Sequence, residues 1–248
     1  GKSQTSREVV RVLQAMGKRV VTVRHPMPYG DLTKQIVQRF AEYEDFEKHQ
    51  CTVEEREEYE PVIAMGSVIY AGVDYGRILT EVEKEADVIV WDGGNNDFPF
   101  LRPDLHLVLV DALRPNQIDP HFPGEACLRM ADVIVINKVD AAPHCAVQRA
   151  SDHARRLNPT ASIIRARSPV TIEEPEVVRG KRVLVVEDGP TISHGGMSTG
   201  AGYSAAIEAG AASIVDPRFS AEPEIVSVYD QYPHIGKVLP AMGYGKTQ

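Results

Sequence analysis

Asp87-Val-Ile-Val-Trp91 is followed at once by Asp92-Gly93-Gly94-Asn95-Asn96-Asp97. A short continuous apolar run of this kind reads as a strand covered on both faces, at a central position of a parallel sheet. The carboxylate just beyond it lies where open α/β sheets bind their ligands, and the glycines let backbone come close to an anion. An Asp-Gly turn at a strand end uses the same residues. The strand-end placement favours a site, with Asp92 holding Mg²⁺ or its water, Gly93 beside a nucleotide and Asn95 toward a substrate.

Outward from this stretch, apolar strands alternate with amphipathic helices, the pattern of βαβ units. Helical spacing of Val9, Val10, Leu13 and Met16 predicts a helix over 3–16, ended by Gly17. Strands are expected over 19–24, 68–71, 87–91, 105–110, 132–136, 162–165, 181–186 and 212–215. Helices are expected over 35–43, 75–85, 125–130, 145–157, 203–209 and 221–232. The acidic stretch 42–60 reads as a helical or looped insertion with a solvated face.

Two further motifs flank the strand. Gly1-Lys2-Ser3 opens a helix, as at the end of a P-loop, where the Lys reaches the β/γ-phosphates and the Ser binds Mg²⁺. The helix N-terminus adds its amides and dipole, and Gln4 belongs to the same turn. Asn137-Lys138-Val139-Asp140 follows a second apolar strand and matches NKxD. A carboxylate such as Asp140 accepts from both N1–H and N2–H₂ of guanine, a donor pair that adenine lacks, and the Lys138 stem can lie over the base. The order GKS, strand-Asp, strand-NKxD is more specific than any one of the three. It points to a nucleotide, GTP or ATP, bound with Mg²⁺ held by Ser3 and Asp92.

Several strand-end groups are candidates for a second substrate. Arg24 and His25 close the strand over 19–24; arginine binds phosphate bidentately and histidine moves protons near neutral pH. Asp31 follows a short turn. Glu187 and Asp188 close the strand over 181–186, and His194, Gly195 and Gly196 lie in a Gly-rich loop that enters a helix, a second anion-site pattern. Arg218 repeats the strand-end placement.

The bulk composition excludes some classes. Net charge is −8, with no long basic cluster, which argues against nucleic acid. No apolar run approaches the length of a membrane span. Cys51, Cys127 and Cys145 are scattered, so neither a disulfide framework nor a zinc site is expected, and a reducing cytoplasm is the simplest setting.

GKSQTSR, VRHPMPYGDL, EEREEYEP, YAGVDY, WDGGNNDFPF, INKVD, VEDGPTISHGG and YPHIGKVLPAMGYG, spread from Gly1 to Gly245, resemble a family of archaeal and bacterial GTPases related to cyclic 2,3-diphosphoglycerate synthetase. The strand ending in Arg24-His25 is also similar to the P-loop class that includes dethiobiotin synthetase and metallochaperone GTPases. The resemblance implies nucleotide-driven closure of an intramolecular phosphoanhydride in a small phosphorylated acid. It also implies longer members, in which this chain is a central fragment cut within the phosphate motif.

The expected architecture is α/β: a doubly wound, mostly parallel sheet of P-loop NTPase type in three αβα layers, lacking its first P-loop strand, with a C-terminal Rossmann-like βα extension. A nucleotide-binding domain is expected over 1–168, a connector over 169–180 and the extension over 181–248. The leading functional reading is a phosphoryl-transfer ligase using Lys2, Asp92, Arg24 and His25; its rival is a regulatory or chaperone GTPase acting on a protein. Expected partners are a nucleotide and a small phosphorylated substrate, with self-association left open and neither nucleic acid nor membrane.

Overall fold

The computed structural model describes residues 1–27, 31–94, 97–188, 192–193 and 195–241. Two compact units lie along the chain, Gly1–Ser168 and Pro169–Gln248.

In the first unit, α1 (Lys2–Ala15) turns at Gly17, whose φ of +77° suits glycine, into β1 (Val20–Arg24). Val20, Val21, Thr22 and Val23 are all buried. A run of mostly β-branched residues, covered on both faces, is what a central strand requires. β1 lies between β3 (Val68–Ala71) and β4 (Val88–Trp91), parallel to both, and β2 (Gln38–Phe40) joins β3 antiparallel. A second parallel set places β6 (Val133–Asn137) between β5 (Leu107–Asp111) and β7 (Ser162–Arg165). The helices α2 (Glu44–Lys48), α3 (Val53–Ile63), α4 (Tyr75–Val82), α5 (Gly124–Met130) and α6 (His144–Leu157) complete the unit. α6 buries Ala146, Val147, Ala150 and Ala154, small residues at helical spacing, in a core with Ile134 and Ile136 of β6.

Three expectations change. Residues 38–40 form a strand, not part of a helix: Gln38 and Phe40 are buried and Arg39 is exposed, a period of two. Backbone N–H groups of Val73 and Asp74 donate to Gln35 and Ile36 at 2.9 and 3.1 Å, so residues 35–36 are held by the loop after β3. β4 is not central among the described strands. It pairs only with β1, and its four residues are half-buried. The acidic stretch is helical, as one of its two expected forms, but its face is not all solvated: its two helices bury Phe46, Glu55 and Tyr59.

In the second unit, β8 (Arg182–Val183) pairs in parallel with β10 (Ser213–Ile214), and β9 (Val186–Asp188) pairs in parallel with β11 (Leu239–Ala241). The single strand expected over 181–186 is interrupted at Leu184, which is 50% exposed. α7 (Ala201–Glu208) and α8 (Pro223–Gln231) contribute Ala206, Val228 and Tyr229 to a core with Val185, Ile192, Ile235 and Val238. The structure is thus mixed α/β with mostly parallel strand pairing. Among the described residues no helix is long and apolar enough to cross a membrane.

Candidate active site

The first turn of α1 meets the ends of β1 and β4 and one face of α3. Arg24, the last residue of β1, donates through Nη1 to Glu58 Oε2 at 2.5 Å and stands 3.6 Å from Asp92 Oδ2. Ser3 Oγ donates to the same Glu58 oxygen at 3.4 Å, and Ser6 Oγ donates to Asp92 Oδ1 at 2.9 Å. The Arg24 and Asp92 side chains are nearly enclosed, at 12% and 10% exposure, while Glu58 keeps 33%. Lys2 is exposed as a residue. Its ammonium is nevertheless held below the usual lysine range, chiefly by burial. Arg24 and Arg114 lower it further, against the opposing pull of Asp92 and Glu58. Gln4 is exposed on the same helix.

The sequence reading aims Ser3 and Asp92 at one metal ion. The structure gives Asp92 to Ser6 and Ser3 to Glu58. Residues three apart share a helix face, so Ser3 and Ser6 present two hydroxyls in a row, each against a different carboxylate. Neither Glu58 nor Ser6 is in the sequence-derived set. A Ser-x-x-Ser pair directly after the Gly-Lys was the available signal for Ser6; for Glu58 there was none, since it is one of many acidic residues in its stretch.

Beside this cluster, His25 Nδ1 lies 2.9 Å from Asp97 Oδ2, and that oxygen accepts from Gly94 N at 2.8 Å. A side chain at Gly94 would sit 3.1 Å from His25 Cε1, and one at Gly93 2.9 Å from Trp91 Nε1. Both glycines therefore have packing reasons to be small, and Asp97 holds the Gly94 amide. Asp31 is exposed, and its carboxylate accepts from Thr33 N at 3.0 Å and Thr33 Oγ1 at 2.6 Å, a local turn. Asn95 and His194 lie outside the described residues.

Asn137-Lys138-Val139-Asp140 lies next to Gly1-Lys2-Ser3. A Cβ on Gly1 would fall 2.2 Å from Asn137 Nδ2, so the chain start and the end of β6 are in contact. Asn137 is buried, and Lys138 adopts φ +62°. Lys138 Nζ donates to Asp111 Oδ2 at 3.1 Å, an oxygen that Arg114 Nη2 also reaches at 2.9 Å. Burial pushes the Asp111 carboxyl upward, but Lys138, the Leu113 amide and Arg114 outweigh it and keep it below the usual carboxylate range. Asp111 and Arg114 are further site residues that sequence reasoning missed, although Asp111 ends an apolar strand just as Asp92 follows one. Asp140 is exposed, and Oδ1 accepts from Ser168 N at 2.9 Å.

In the second unit the Gly-rich loop gives a different result. Glu187, buried at 6% exposure, accepts from Gly200 N at 3.0 Å, Gly202 N at 3.3 Å and Tyr203 N at 2.7 Å. Its carboxylate fills the N-terminus of α7, the place where the sequence reading puts a substrate anion. A Cβ on Gly200 would lie 2.3 Å from Glu187 Oε2, so glycine is required there by close approach. Arg218 donates to Asp216 Oδ1 at 3.1 Å and to the Ile235 carbonyl, and its guanidinium lies 4.7 Å from the Tyr229 ring centroid. It is engaged within its own unit. Asp188 is exposed; Gly195 is partly buried, and Gly196 takes φ +67°.

No family model matches the sequence. Arginine synthetase ArcE of Thermococcus kodakarensis is 58% identical over 248 residues, which is 100% of this chain and 55% of that protein. The chain therefore spans about half the length of that relative. Among solved structures, hydrogenase maturation factor HypB from Archaeoglobus fulgidus is similar at 17% identity over 67% of this chain and 87% of that one, with a TM-score of 0.31. That likeness is too loose to bear on the fold, which rests on the strand pairings themselves.

Proposed function

We propose that this chain is the nucleotide-handling part of a synthetase that spends ATP or GTP, with Mg²⁺, to activate a small anionic acceptor. The observation that carries this reading is the convergence of Lys2, Ser3, Arg24 and Asp92 at the first turn of α1, with Gly1 against Asn137. It supports a phosphate end and a base end held one residue apart. Lys2 and Arg24 neutralise phosphoryl charge, and the enclosed setting strengthens that effect. Catalysis on this reading rests on positioning and charge.

The oxygen donors fit magnesium. Ser3 Oγ and the Asp92 carboxylate are hard ligands. Among the described residues no group of three or more His, Cys, Asp or Glu forms a metal cage. That suits an ion that takes few protein ligands and completes its shell with water and phosphate. Bound there, magnesium would supply positive charge to offset that of the phosphoryl group.

The relative's name points to an acceptor on the way to arginine, whereas the resemblance read from the sequence points to 2,3-diphosphoglycerate. A synthetase is common to both. Turnover of ATP and GTP by the full-length protein, with precursors of arginine and separately with 2,3-diphosphoglycerate, decides the acceptor. Absence of nucleotide turnover under every pairing would sink the synthetase reading. The base is tested separately. If Asp140 reads guanine, Asp140→Asn shifts preference toward xanthine nucleotides, and unchanged selectivity removes that role.

A further inference from the structure

Glu58 lies outside the nucleotide motifs, in the acidic run that a sequence reading assigns to solvent. Its direction is set by its neighbours. Thr52 Oγ1 accepts from Glu55 N at 3.3 Å and Glu55 Oε2 accepts from Thr52 N at 2.9 Å, a reciprocal cap on α3. The other Glu55 oxygen accepts from Gln35 Nε2 at 2.9 Å in the interior. Tyr59 is wholly buried, its ring centroid 4.9 Å from that of Phe40. With Glu55 and Tyr59 locked into the core on either side, Glu58 is carried to the α1 turn whether or not it forms an ion pair. There, one carboxylate oxygen accepts from both Ser3 Oγ and Arg24 Nη1. An incoming phosphoryl oxygen needs the same two donors. Arg24 is wedged between Glu58 and Asp92, with its Nε buried and without a hydrogen-bond partner.

We propose that Glu58 is a positioning and specificity residue: it holds the Arg24 guanidinium at the first turn of α1 and yields its donors only to an anion carrying more charge than a carboxylate, a terminal phosphoryl group. The inference rests on the nucleotide reading above. A carboxylate brings one negative charge. A terminal phosphoryl brings close to two near neutral pH, together with three acceptor oxygens. Against an arginine and a helix N-terminus the doubly charged group displaces Glu58, and a ligand ending in a carboxylate does not. The displaced side chain, one-third exposed, moves into solvent. A purely structural strut is redundant here, because the capping box and Tyr59 already fix α3.

The test is calorimetric titration of the full-length wild type, Glu58→Gln and Glu58→Asp with Mg-ATP, Mg-GTP, inorganic phosphate and acetate, alongside thermal midpoints. Glu58→Gln is expected to bind the preferred triphosphate about tenfold more tightly, the order of one charge-assisted bond no longer in competition. Acetate, which does not compete in the wild type, is expected to compete in that variant. Glu58→Asp keeps the charge on a shorter stem and falls between the two, so it carries the test if the Gln variant fails to fold. Equal triphosphate affinity in all three proteins, with a lowered midpoint in Glu58→Gln, would make Glu58 a strut and overturn the proposal alone. A wild type that binds no nucleotide overturns the proposal together with the reading it rests on.

Discussion

Each unit has a helix whose first turn faces a carboxylate from another element, and the two are held in different ways. At α7, Glu187 is buried and takes three backbone N–H groups. At α1, Glu58 is one-third exposed and accepts from the Ser3 and Arg24 side chains. The same electrostatics operates at both, since a helix N-terminus favours negative charge. The difference is what else can satisfy the donors. Three partly buried backbone amides would lose their partner together if the buried carboxylate left, so Glu187 is fixed. Side-chain donors around a carboxylate that is itself one-third exposed can exchange one anion for another. A helix N-terminus is therefore a candidate site in this molecule only where its resident carboxylate can leave.

The largest effect that could break this contrast is at Glu187. Glu187→Ala leaves three partly buried amides without their carboxylate and should destabilise the second unit by about 2–4 kcal/mol. A thermal or denaturant midpoint close to that of the wild type would show that water already reaches the α7 turn. Next is Gly200→Ala, whose Cβ would meet Glu187 Oε2 at 2.3 Å. It should cost about 1–3 kcal/mol, and most of that cost should vanish in a Glu187→Ala background, because the clash partner is gone. Independent, additive losses would contradict the close-approach account.

Glu58→Ala should change the stability of the first unit by less than about 1 kcal/mol, as expected of a partly exposed ion pair. A loss on the Glu187 scale would collapse the contrast. The smallest effect concerns acid. Arg19 pairs with Asp87 at 2.7 Å where β1 and β4 begin, and that pairing draws the Asp87 carboxyl from 3.8 to about 2. A depressed carboxylate stabilises the fold above its unfolded value and loses that contribution as pH falls through its folded value. The pair should therefore contribute fully above about pH 4 and fade toward pH 2. Acid titration of Asp87→Asn, followed by circular dichroism, should show a shallower fall over that window than the wild type.

Much of the architecture is legible because it is written in local periodicity. β1, β6 and α6 carry apolar spacing that fixes their type, and their observed bounds lie within one residue of those expected. β2 was hidden because three residues are too few to show a period of two, and because its pairing partner, β3, lies 30 residues away. β11 was hidden for a related reason: Pro240 within Leu239–Ala241 is a poor strand signal, and the strand exists through its pairing with β9. The site divides along the same line. Lys2, Arg24, Asp92 and Asn137 occupy strand ends or helix starts, positions that sequence alone can place. Glu58 and Asp111 enter through the packing of distant elements, and Glu187 was legible as an acid but not as the acid that fills its own loop.

The capping box at Thr52 and the buried Glu55 set the rotational phase of α3. Each residue of an α-helix turns the next side chain by roughly 100°. One residue added or removed between Thr52 and Glu58 would swing the acidic group away from Arg24 and turn Tyr59, Val62 and Ile63 out of the core with it. Length variation among related chains should therefore be absent from that six-residue interval and tolerated in the exposed turn around Gln50. A count of residues from the cap to the acid would then separate relatives that keep this arrangement from those that have lost it.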